Sequence, residues 1–110
     1  MGEEVMSKAE LEKYIIEKYK QDEQMMVLIF AQWCVNHDLD ARRLYEIAYP
    51  EQGENQVLQD AIKETVSIDE SDEIDAIMVI EVLQAFGNDD LAFVVQQMAD
   101  ELDDIKKSKE

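Results

Sequence analysis

A chain of 110 residues with 46% apolar residues, three glycines and one proline is long enough to build one hydrophobic core and too apolar for an acidic disordered tail. Its net charge of −17 is unevenly placed: between Glu51 and Ile105 sixteen Asp and Glu residues face one base, Lys63. A surface of that sign repels nucleic acid and anionic membranes and attracts basic proteins or cations.

The single cysteine, Cys34, lies inside an apolar run and has no intramolecular partner, so a cytoplasmic home is expected. The start, Met1-Gly2-Glu3-Glu4, lacks the basic-then-apolar order of a signal peptide. The strongest apolar run, Met25–Ala31, is far short of the ~20 residues needed to span a bilayer.

Taken in chain order, Ser7-Lys8-Ala9-Glu10 has capping-box spacing and predicts a first helix from Lys8 to about Lys20. Its Leu11, Tyr14, Ile15 and Tyr19 recur at helical steps on one side, expected to face inward. Asp22 is read as the cap of a second helix ending near Asn36. That helix is apolar all round and must be covered by other helices or by a partner chain. Asp40 caps a third, Ala41 to about Ala48, stopped by Pro50.

After a loop around Gly53, Asn55 caps a fourth helix through Val66. A fifth begins at Ser71 or Asp72, with Ile74, Ile77, Met78, Val82 and Leu83 inward and Val79, Ile80 and Phe86 widening the stripe. Gly87 stops it in the left-handed conformation, and Asn88 caps a sixth whose Leu91, Val94, Val95, Met98, Leu102 and Ile105 form a buried seam. The expected fold is therefore all-α: one domain over residues 1–110, a small bundle of five or six helices ending in a tight antiparallel hairpin, frayed at 1–6 and 107–110. Phe30, Trp33, Ile77, Val94, Val95 and Met98 are expected in its core.

Few residue patterns carry chemistry. Cys34 and His37 have ion-pair or ligand spacing, but zinc needs further Cys or His ligands that the sequence lacks, so a core thiol beside a helix-terminal histidine is the simpler reading. The glycines at 2, 53 and 87 are too isolated for a phosphate loop, and no nucleophile elbow accompanies His37. A calcium loop starting at Asp69 fails where Ile74 and Ile80 replace the turn glycine and the closing carboxylate. Arg42 and Arg43 are too few to form a basic stripe, so direct nucleic-acid binding is not expected.

One carboxylate arrangement stands out. Folding the last two helices back around Gly87-Asn88 places Asp72 near Asp103, and brings Glu70-x-x-Glu73 toward Glu101-x-x-Asp104. This pair of acidic motifs resembles those of all-α nucleotide pyrophosphohydrolases. The resemblance, confined to residues 69–104, implies magnesium held by Glu70, Glu73, Glu101 and Asp104. The alternative is a solvated acidic helix start, with Lys106 and Lys107 folded back beside Asp69 and Ile68. The reading favoured by the whole sequence is a small acidic cytoplasmic protein that acts by protein–protein interaction, without catalysis, cofactor or bound metal, on a partner with a basic surface. Self-association as a homodimer is expected from the second helix. A narrower form of the same reading is an acidic inhibitor in a nucleic-acid site of its partner.

Overall fold

The computed structural model describes residues 7–108, which are all-helical: α1 (Lys8–Asn36), α2 (Ala41–Ala48), α3 (Gln56–Glu64), a short 3-10 turn (Ile68–Glu70), α4 (Ala76–Ala85) and α5 (Asp89–Ser108). Of the ends expected to fray, 1–6 and 107–110, residues 1–6 and 109–110 lie outside the described residues, whereas Lys107 and Ser108 continue α5.

The first two expected helices are one. No glycine or proline interrupts Lys20-Gln21-Asp22-Glu23-Gln24, and Asp22 does not cap: its carboxylate accepts from Lys18 Nζ at 3.0 Å across one turn. α1 begins as expected, with Ser7 Oγ accepting from the Glu10 amide at 3.2 Å. It ends in a Schellman arrangement, in which the Leu39 amide donates to Cys34 O at 2.8 Å and the Asp38 amide to Val35 O at 3.1 Å, with Asp38 at φ 59°. α4 closes in the same way through Asn88 to Leu83 O and Gly87 to Gln84 O, with Gly87 at φ 75°. The expected stop and hairpin at Gly87-Asn88 are therefore present.

Asp40 and Asn55 cap α2 and α3 through their side chains. α3 ends at Glu64, short of Val66, where Thr65 turns extended. α4 starts at Ala76, later than expected. The intervening segment is tied down by side chains: Gln32 accepts from the Val66 amide and donates to the Val66 carbonyl, both at 2.9 Å, and Asn36 Nδ2 donates to Ser71 Oγ at 3.1 Å. Buried Gln32 thus serves Val66 as a strand neighbour would, which satisfies an amide that burial would otherwise penalise.

α3 packs on the C-terminal half of α1, α4 on α1 and α5, and α2 on α5 and α1. Phe30, Trp33, Val79, Leu83 and Val95 form the centre of the core. Of the expected core, Phe30, Trp33, Val94 and Val95 are buried, Met98 is half-buried, and Ile77 is 69% exposed. The inward line of α4 is Val79 and Leu83, with Ile77 and Met78 outside. The helix is apolar on nearly every side, so composition alone did not fix its rotation.

A second correction concerns the front of α1. Leu11, Tyr14, Ile15 and Tyr19 share a side but do not face the core; each is about half exposed, and every residue from Ser7 to Gln21 is exposed. This stretch stands clear of the bundle. It meets the bundle through a tilted ring pair of Tyr19 with Phe86, whose centroids are 5.7 Å apart. The molecule is accordingly elongated, 67 × 32 × 23 Å with a radius of gyration of 17.2 Å, against ~13 Å for a compact chain of this length.

Candidate functional site

At the opposite end of α1 from that projecting stretch lies a groove of about 850 Å³. Four elements make it: the last turn of α1, the 3-10 turn with the loop behind it, the start of α4, and the second half of α5. Trp33, Ile80, Ala99 and Leu102 give it an apolar floor, and the exposed Ile68 and Ile77 give it apolar lips. Asp72, Glu73, Asp75, Asp100 and Asp103 supply its acidic rim. The loop side is held in place by the Asn36–Ser71 hydrogen bond, and Ser71 Oγ in turn donates to Asp72 O at 2.7 Å.

The hairpin does bring Asp72 and Asp103 to one groove. It does not assemble Glu70, Glu73, Glu101 and Asp104: Glu73 is on the rim, while Glu70 ends the 3-10 turn and Glu101 and Asp104 sit on α5, outside the lining. Among the described residues no three His, Cys, Asp or Glu side chains gather as metal ligands. Lys106 and Lys107 form no direct ion pair with Asp69; among the described residues the ion pair is Lys18–Asp22.

Cys34 and His37 part company. The thiol is fully buried, and burial, reinforced by the charge of Asp40, pushes it up to about 12. His37 caps the end of α1 on the surface, its ring 5.1 Å from that of Trp33 at the edge of the groove. A thiol this reluctant to ionise is neither a nucleophile nor a ready ligand.

A second polar cluster sits at the other end of the bundle. Tyr45 donates to Gln52 at 2.8 Å and accepts from Asn55 at 2.7 Å, while Tyr49 donates to Asn88 at 2.9 Å. Both rings pack at the edge of the core, 5.0 Å apart. Burial pushes the Tyr49 hydroxyl up, with Asp90 and Asp89 adding to it and a backbone hydrogen bond at Leu91 opposing it. The bonds join loops to helices, and their work is structural.

Sequence reasoning missed Ile68 and Ile77 as groove lips, together with the contributions of Asp75 and Asp100. The available signal was the pairing across Gly87-Asn88, which had already set Asp72 opposite Asp103.

No helix among the described residues is long and apolar enough to cross a membrane. No solved structure gives a significant match to this chain. A Bacillus subtilis (strain 168) protein named "Uncharacterized protein YxiS" is 50% identical over 82 residues, which span 74% of this chain and 85% of that protein. The YxiS family model matches residues 7–100, from the α1 cap through most of α5, and the chain belongs to the YxiS family.

Proposed function

We propose that this protein acts in the cytoplasm by binding another protein, without catalysis of its own, and that the groove receives an amphipathic helix carrying basic residues. The observation that carries this reading is the groove itself: an apolar floor and lips inside a rim of five carboxylates. Apolar area supplies the driving force for a helix laid in a groove, and the rim selects for lysine or arginine flanking its apolar face. The cytoplasmic setting rests on a lone thiol with no disulfide partner.

The test is quantitative affinity capture from the source cell, with the parent and an Asp100→Lys/Asp103→Lys variant side by side. Both substituted residues are exposed, so the fold should persist. A partner retained by the parent and lost by the variant is expected. Retention of every captured protein by the groove variant would sink the proposal.

A further inference from the structure

The front of α1 has the complementary chemistry to the groove. Lys8, Leu11, Ile15 and Lys18 follow one another at alternating three- and four-residue steps, so two lysines bracket two apolar residues on one seam. Tyr14 and Tyr19 widen it, and Leu11, Tyr14, Ile15 and Tyr19 are all about half exposed. From Lys8 to Lys20 the charge is four lysines against three glutamates, in a chain that is otherwise strongly acidic. The size also fits. A helix about 10 Å across fills a space of 850 Å³ in roughly two turns, the length of the stretch from Leu11 to Lys18.

The seam cannot enter its own groove. Leu11 and Trp33 stand on one unbroken helix, which at about 1.5 Å per residue holds them some 33 Å apart. A second copy is the occupant that this geometry leaves. Because arm and groove lie at opposite ends of α1, two chains placed side by side and antiparallel about a two-fold axis near Met25 set each arm against the other's groove. Met25, at that midpoint, is itself exposed. Such an exchange is self-complementary and closes after two contacts, as a two-fold interface requires.

We infer that residues 8–20 of one copy dock in the acid-rimmed groove of a second, forming a closed antiparallel dimer in which each site is occupied until a partner helix displaces the arm. The inference rests on the groove-binding reading above and adds its regulation: self-association and partner binding exclude one another.

Sedimentation of the whole chain over a concentration series tests it. A species of twice 12.8 kDa is expected. Ile15→Asp, Lys8→Glu/Lys18→Glu and Asp100→Lys/Asp103→Lys should each weaken the dimer by about ten-fold or more, and the two charge reversals combined in one chain should restore it. Circular dichroism checks that these exposed substitutions leave the bundle folded. Zero-length carbodiimide cross-linking of the unmodified chain gives an independent readout, with amide bonds between subunits expected from Lys8 or Lys18 to Asp72, Glu73, Asp100 or Asp103. A monomer at every concentration, a dimer that survives Ile15→Asp, open-ended polymers, or an arm that binds anionic vesicles in place of a second copy would each overturn the inference. A monomer whose groove still captures a partner removes this inference alone. A dimer whose groove variant keeps every captured protein removes the proposed function alone.

Discussion

At the scale of single residues, Cys34 is the most chemically committed side chain in the molecule. It is fully buried, and its ionisation is driven up from 9.0 to about 12 by burial and by Asp40. The native state therefore prefers the neutral thiol, so the associated stability is fully present below about pH 9 and is lost as pH climbs from there toward 12. Native protein at pH 8 should accordingly be alkylated by iodoacetamide no faster than it unfolds, with rapid reaction in denaturant. A thiol count over time reads this, and stoichiometric labelling of the folded chain within minutes would contradict the burial. His37, three residues on, belongs to the surface with its ring tilted against that of Trp33, so the ion-pair or ligand spacing of the two residues records only one helical turn.

At the scale of elements, α4 carries a rotation that can be tested by two neighbouring substitutions. Val79 is 1% exposed and Ile77 is 69% exposed. Val79→Asp should therefore destabilise the fold by several kcal/mol, in the range of about 3–5 associated with an unpaired buried charge. Ile77→Asp should lie within ~0.5 kcal/mol of the parent. Urea titrations followed by circular dichroism decide between the two faces, and equal costs would mean that α4 is turned differently.

What the sequence disclosed about these elements followed the strength of the local signal. Ser7, Asp40 and Asn55 accept amide hydrogen bonds where capping rules placed them, and Gly87 adopts the positive φ that its position required. Asp22 carried the same capping chemistry but sits among strong helix formers, and there its carboxylate serves Lys18. The start of α4 was hidden because long-range bonds from Gln32 and Asn36 hold the preceding segment out of the helix, and no local pattern encodes a partner some 35 residues away. The groove was half legible: hairpin pairing set Asp72 against Asp103, while its apolar floor depends on Trp33 arriving from α1.

At the scale of the whole molecule, the charge of −17 is the dominant long-range force. Like charges crowded on α5 and the segment between α3 and α4 repel one another, and added salt screens them over a Debye length of about 10 Å at 0.1 M. Melting temperature should therefore rise with sodium chloride. Because Glu70, Glu73, Glu101 and Asp104 do not gather, magnesium should raise it no more than sodium chloride of equal ionic strength. Thermal melts in matched buffers measure this. A magnesium-specific rise, abolished by Glu73→Gln with Glu101→Gln, would return the nucleotide pyrophosphohydrolase reading to favour.

The unbroken α1 also makes the molecule a lever. Its bundle end is clamped from Met26 to Asn36, while the free limb ahead of Tyr19 is a rod about 16 Å long at 1.5 Å per residue. A bend of ten degrees at the fulcrum sweeps the tip through roughly 3 Å, more than half the helical pitch of 5.4 Å. The ring contact of Tyr19 with Phe86 and the Lys18–Asp22 pair sit at that fulcrum. Small adjustments there set the aim of a limb whose far end they never touch.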